Sequence, residues 1–114
     1  MNRYDRQERV HQIGGIGQQK ISHATIMIVG VGALGSYTAE QLVRAGVKRI
    51  ILIDPDTVDV TNLQRQSLFT EEDADQQRLK VEAAKEHLHE INSACQITAI
   101  PAPITADLID EYQF

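Results

Sequence analysis

The sequence predicts an α/β fold built around a mainly parallel sheet, and three observations carry that prediction. Two β-branched apolar runs, residues 24–29 and 49–53, lack the apolar/polar alternation of half-exposed strands and read as strands buried on both faces. A glycine-rich turn, Gly30-Val31-Gly32-Ala33-Leu34-Gly35, follows the first run without a break. A helical pattern then fills the space before the second run, the spacing of a crossover between parallel strands. The expected architecture is a Rossmann-like three-layer α/β/α arrangement.

Taken in order, residues 1–22 form a polar, helical arm that ends at a loose Gly14-Gly15-Ile16-Gly17 stretch, with helix resuming toward Ile21. After the glycine turn, Leu34, Thr38, Leu42 and Ala45 recur at helical spacing until Gly46, a residue suited to the position just past a helix end. The second strand stops at Asp54-Pro55-Asp56, because proline cannot donate to a ladder. Residues 57–78 are polar and irregular, apart from a helix start at Thr70-Glu71-Glu72-Asp73, and a loop of that length is expected to contact a ligand. From Gln77 to Ile91 the apolar positions Val81, Ala84, Leu88 and Ile91 mark an amphipathic helix ending near Asn92. Gln96 to Ile100 is a third strand, broken by Pro101 and Pro103, and the tail from Thr105 can form at most a short helix. Residues 24–103 are therefore a β-α-β-α-β core, with 104–114 the start of a following segment. Three strands are few for a doubly wound sheet, so residues 1–114 are expected to be the first half of a larger domain.

Composition narrows the function classes. The 114 residues, 42% hydrophobic and 24% charged, suit one globular domain with one core. The net charge of −5 argues against a nucleic-acid partner, whose affinity comes mostly from Lys and Arg. No apolar run approaches the roughly 18 residues of a membrane helix, and the N-terminus MNRYDRQERV lacks an apolar segment, so neither a signal peptide nor a membrane association is expected. The single cysteine, Cys95, excludes an internal disulfide and fits a reducing cytoplasm. His11, His23, His87 and His89 form no metal-ligand pattern, and no metal site is expected within these residues.

Gly30-x-Gly32-x-x-Gly35 gains meaning from its place between a strand and a helix. The first glycine permits the tight turn, the second lets backbone approach a phosphate, and the third lets helix and strand pack closely. The helix N-terminus adds free N–H donors and a partial positive charge. Asp54, 24 residues after Gly30, ends the second strand where an acidic side chain reaches ribose hydroxyls, with Asp56 close by. These features alone fit an NAD(P)-dependent oxidoreductase equally well. What discriminates is the loop Asn62-Leu63-Gln64-Arg65-Gln66, whose amides and guanidinium suit phosphate oxygens, together with Arg3-Tyr4-Asp5-Arg6-Gln7.

At this point the sequence resembles the ThiF/MoeB/HesA group of adenylating enzymes, the bacterial relatives of ubiquitin-activating enzymes. Four motifs in order carry the resemblance over nearly the whole chain: Arg3-Tyr4-x-Arg6-Gln7; Gly30-x-Gly32-x-x-Gly35; Asp54-x-Asp56-x-Val58-x-x-x-Asn62-Leu63-x-Arg65-Gln66; and Lys80 in Lys80-Val81-Glu82-Ala83-Ala84. The resemblance implies ATP-dependent adenylation of the C-terminal carboxylate of a ubiquitin-like sulfur-carrier protein, of the molybdopterin or thiamine type. It implies that Gly30, Gly32, Ala33 and Gly35 approach the nucleotide and that Asp54, with Asp56, binds its ribose. Thr61, Asn62, Gln64, Arg65 and Lys80 would line the phosphates, and Arg6 would reach the triphosphate from the partner subunit of a homodimer. Arg6, Asn62, Arg65 and Lys80 are the implied catalytic set.

Departures from the pattern define further expectations. Ala33 stands where the family often has a consecutive glycine. The Mg2+-binding Asp is expected beyond residue 114, as are the zinc motifs of the second half, and this stretch alone is expected to be inactive or nearly so. A non-catalytic relative that dimerises or binds a carrier is the other reading the motifs leave open.

Overall fold

The computed structural model describes residues 2–114. Its order is α1 (Asp5–Glu8), α2 (Gly14–Ser22), β1 (Thr25–Val29), α3 (Ala33–Ala45), β2 (Arg49–Ile53), a 3-10 turn (Val60–Asn62), α4 (Glu71–Asp75), α5 (Lys80–Ile91), β3 (Gln96–Ile100) and α6 (Ala106–Glu111). The three strands form one parallel sheet in the order β1-β2-β3, with Ile26 opposite Ile50 and Ile50 opposite Ile97. Both connections within the core are helical crossovers, as parallel pairing requires.

Side chains alternate across β2, so Ile50 and Leu52 face one side of the sheet and Arg49, Ile51 and Ile53 the other. On the first side, Ile50 and Leu52 join Val31, Ala39, Val43, Val81, Ala84 and Leu88 in the main core beneath α3 and α5. On the second side, the Arg49 guanidinium donates to Thr98 Oγ1 at 3.0 Å and lies 5.6 Å from the centre of the Tyr112 ring. That contact brings Tyr112, the residue after α6, over the second face. Among the described residues no helix is long and apolar enough to cross a membrane.

Five local expectations are corrected. The strand expected to be buried on both faces is the outer strand β1, and its Val29 is 54% exposed. In α3 the inward positions are Ser36, Ala39 and Val43, while Leu34 is 79% exposed. The stripe three and four residues apart is present, but Gly35 must face the strand, and that fixes the rotation of the helix. The glycines at 14–17 do not break the arm; they lie within α2, whose packing exceeds the roughly 1 kcal/mol helix penalty of each glycine. Within that packing Gln18 is buried and donates to the Ala45 carbonyl. The second amphipathic helix starts at Lys80 rather than Gln77, because Leu79 is extended and bridges Thr57. The loop before it is also less irregular than expected, since Val58, Leu68 and Phe69 enter the core and Thr70 caps α4 through the Asp73 amide.

Candidate nucleotide site at the carboxyl edge of the sheet

The glycine turn leaves β1 at its carboxyl end, where open α/β sheets bind ligands. Gly30 has φ +92°, a conformation that L side chains rarely adopt, and its N–H donates to the Ile53 carbonyl at 2.8 Å. Gly35 is fixed by contact: a Cβ there would lie 1.9 Å from the Gly30 carbonyl oxygen. Gly32 differs from both. Its φ of −90° and ψ of −150° suit any residue, and the space beside it is open except for Gln66 Nε2, 3.9 Å from where a Cβ would sit. Neither strain nor crowding within the chain demands glycine at 32, whereas a ligand resting on the backbone would. Ala33 begins α3 on the exposed side of the turn, and the first amides of a helix have no intrahelical acceptor.

A run of hydrogen bonds ties this turn to the next two segments. Asp54, 6% exposed, accepts from the Val31 N–H through Oδ2 and from the Asp56 N–H through Oδ1, both at 2.8 Å. The Asp56 carbonyl then accepts from the Lys80 N–H at 2.9 Å. One carboxylate thus links the glycine turn to the N-terminus of α5. Both Asp54 oxygens are engaged by backbone, while Asp56 is exposed and its carboxylate makes no hydrogen bond among the described residues.

The following loop is shaped by its own polar groups. Asp59 caps the 3-10 turn, accepting from the Thr61 amide at 2.8 Å and hydroxyl at 2.7 Å, and these bonds hold its carboxyl below the usual range. Asn62 Oδ1 accepts from the Asp59 N–H at 3.0 Å, which leaves the Asn62 NH2 as a free-facing donor group. Arg65 is exposed and donates one N–H to the Thr61 carbonyl at 3.1 Å; its fork keeps four other donors. Gln64 is exposed. Gln66 turns inward, 3% exposed, and its Oε1 is buried with no hydrogen-bond partner.

Lys80 opens α5 and is only 7% exposed, yet it forms no salt bridge with any carboxylate among the described residues. The buried part is its stem; its Nζ is not enclosed and stays open to an anion. The structure therefore brings Gly30, Gly32, Ala33, Gly35, Asp54, Asp56, Lys80 and, through Gln66, the loop of Thr61, Asn62, Gln64 and Arg65 to one edge.

It does not bring Arg6 there. The arm docks at the opposite end of α3, where Gln7 donates to the Ala45 carbonyl at 2.8 Å and Asn92 donates to the Tyr4 hydroxyl at 3.0 Å. The Tyr4 ring lies against Gly46. Twelve helical steps separate Ala33 from Ala45, about 18 Å at 1.5 Å each. Arg6 itself is exposed and forms no ion pair among the described residues. Elsewhere, Cys95 is free and buried, which pushes its thiol pKa up, and no metal-holding cluster of three or more His, Cys, Asp or Glu occurs among the described residues. In the sequence Gln66 is one of the loop amides suited to phosphate oxygens; that its side chain turns inward is visible only in the structure.

These features place the chain in the Rossmann-type class of α/β proteins. More specifically, it belongs to the ThiF family, whose model matches residues 4–113. It is 45% identical over 109 residues to the Bacillus subtilis sulfur carrier protein ThiS adenylyltransferase, a match covering 96% of this chain and 32% of that protein. It is 39% identical over 107 residues to the Salmonella typhimurium molybdopterin-synthase adenylyltransferase, covering 94% and 42%. Among solved structures, E. coli MccB with ATP superposes with a TM-score of 0.87 at 34% identity, covering 99% of this chain and 35% of MccB. The chain thus spans well under half the length of these relatives, and they do not favour the oxidoreductase alternative.

Proposed function

We propose that these residues form the N-terminal, ATP-binding part of an adenylyltransferase that activates the C-terminal carboxylate of a ubiquitin-like sulfur carrier in the cytoplasm. In this reaction a carboxylate oxygen bonds to the α-phosphorus of ATP, the α–β anhydride bond breaks and pyrophosphate leaves. No side-chain nucleophile is needed. What the chain must supply is fixed positive charge and N–H donors where phosphate oxygens gather negative charge. The observation that carries this reading is Lys80, whose stem is buried, whose ammonium has no carboxylate partner among the described residues, and whose backbone is tied through Asp56 and Asp54 to the glycine turn.

In this reading the amides of Gly32 and Ala33 approach the phosphates, Lys80 neutralises them from below, and Arg65 and the Asn62 NH2 close over them. The free carboxylate of Asp56, with any lone pairs Asp54 has left, faces the ribose. Arg6 acts from a second copy of the chain, since the arm holding it docks about 18 Å from its own glycine turn. Mg2+ accompanies the triphosphate, and its carboxylate ligand, like any zinc site, belongs to the remainder of the family domain. The name of the Bacillus subtilis relative favours a thiamine-type carrier, and that of the Salmonella relative keeps a molybdopterin-type carrier as the second candidate.

The test is calorimetric titration of ATP, and separately NAD, into the chain and into Lys80→Met. Methionine keeps the length and the apolar stem. ATP should bind and NAD should not, and the variant should bind ATP at least about tenfold more weakly, the scale of one lost charge-assisted contact of about 1.5–3 kcal/mol. Its melting temperature without nucleotide should not fall, because no native ion pair is removed. Equal ATP affinity in the two proteins overturns the assignment of Lys80, and preference for NAD overturns the function.

A further inference from the structure

The open side of Gly32 meets donors from two segments of the chain. Ala33 opens α3, a 13-residue helix whose first amides have no intrahelical acceptor. Across the gap stands Nε2 of Gln66, 3.9 Å from where a Gly32 Cβ would sit. The Gln66 backbone is satisfied: its N–H donates to the Asn62 carbonyl at 2.9 Å and its carbonyl accepts from the Phe69 N–H at 3.3 Å. Its side chain is 3% exposed and ends in two unlike halves. Oε1 is enclosed and has no donor, whereas Nε2 makes no hydrogen bond among the described residues and is not enclosed. The amide therefore turns its oxygen into the fold and its NH2 toward the gap beside Gly32.

Enclosing an amide oxygen without a donor is unfavourable, and methionine would fill the same length without that cost. Packing alone therefore does not explain glutamine at 66. What glutamine adds is the NH2, a neutral donor with two hydrogens. The chain leaves those hydrogens unused, and what faces them from the start of α3 is also a donor, so the group that completes the gap carries acceptors. A phosphate oxygen in the space that a side chain at 32 would fill comes within hydrogen-bonding reach of Nε2, about 2.9 Å. We propose that Gln66 is a phosphate-binding residue whose Nε2 donates to an oxygen of the phosphate resting on Gly32, across from the first amides of α3. The proposal rests on the nucleotide reading of the glycine turn and adds to it a donor from the following loop. The same bond fastens that loop, with Asn62 and Arg65 just before Gln66, to the glycine turn when nucleotide is present.

The test titrates ATP by calorimetry into the full chain, Gln66→Met, Gly32→Ala and the double variant, and records the 31P spectrum of ATP at saturation. Gln66→Met should bind ATP about tenfold more weakly, the size of one hydrogen bond to a charged acceptor, and without nucleotide it should melt no lower than the unaltered chain. The 31P signal of the phosphate it contacts should differ between the two complexes. Gly32→Ala puts a methyl group into the same gap, so the double variant should lose little more affinity than the weaker of the two single variants, as two residues acting on one group do. Full ATP affinity in Gln66→Met overturns the proposal, as do losses that simply multiply in the double variant. Weaker binding with all three 31P signals unchanged also overturns it, because the amide would then act on the sugar or base or only through packing. If Gln66→Met does not fold, the Gln66 side-chain NH2 signals in the unaltered chain's NMR spectrum decide: they should move on addition of ATP, and no movement overturns the proposal. Failure of the unaltered chain to bind ATP is a separate result that removes the nucleotide reading, and Gln66's role with it.

Discussion

Asp54→Ala should destabilise the chain before any ligand is considered. The carboxylate accepts from two backbone amides, Val31 on the glycine turn and Asp56 beyond β2, each at 2.8 Å. Hydrogen bonds to a charged acceptor contribute about 1.5–3 kcal/mol, and a buried donor left without a partner loses that in full. Val31 is wholly buried, so its N–H has no water to turn to; Asp56 is exposed and its N–H recovers part of the loss. The two together come to about 3–4 kcal/mol, a large share of the roughly 5–15 kcal/mol that holds a domain folded. For 114 residues the unfolding entropy is about 0.24 kcal/mol/K, so the melting temperature should fall by about 13–17 °C. Asp54→Asn keeps one acceptor and turns an NH2 toward the other amide, and its melting temperature should fall between the two. Circular dichroism melts without nucleotide, checked by urea denaturation, measure both variants. An Asp54→Ala chain that melts within about 2 °C of the unaltered one would refute the reasoning, and with it the idea that this carboxylate fastens the turn to the sheet.

The three glycines of the turn should separate by cause. Gly35→Ala must force α3 away from β1, because its Cβ would sit 1.9 Å from the Gly30 oxygen, and a loss of about 3 kcal/mol or more is expected in a denaturant titration. Gly32→Ala meets no clash and should stay within about 0.5 kcal/mol of the unaltered chain while its affinity for ATP falls; equal stability losses at 32 and 35 would contradict the separation. A third prediction concerns acid. Burial would raise the carboxyl of Asp73, but its bonds to His87 at 2.8 Å and to the Thr70 amide outweigh that and lower it below 3.8. A carboxyl whose folded pKa lies below its unfolded one contributes fully above the unfolded value and loses that contribution as pH falls through the folded one. Stability measured by urea denaturation should therefore decline below about pH 4 in the unaltered chain and decline less in Asp73→Asn; parallel acid limbs would exclude Asp73 as the cause.

How much of this was legible in the sequence depended on whether a cause was local. β2 and β3 have the bounds that their β-branched runs and flanking prolines indicate, and α5 ends at Ile91, just before Asn92, as its apolar spacing requires. The three roles of the glycine motif are partly visible as geometry, in the φ of Gly30 and the contact at Gly35. Errors arose wherever a distant partner decided. The face of α3 follows from which glycine touches the strand, not from hydrophobicity, and so Leu34 lies outward. Helix α5 begins late because Leu79 pairs with Thr57 across the loop. Asp54 could be read as an acidic strand end, but only the fold shows that both its oxygens are occupied by backbone amides.

A single criterion sorts the polar residues of this molecule. Asp54, Asp73, Gln18 and Asn92 are all buried, and each has partners inside the chain: two amides, a histidine with an arginine, and the carbonyls that close α3. They build the frame, and no ligand is needed to explain them. Lys80 and Gln66 are the exceptions: among the described residues the Lys80 ammonium has no carboxylate and the enclosed Gln66 oxygen no donor. The lysine's deficit calls for negative charge, and a phosphate on the open backbone of Gly32 would be such a group.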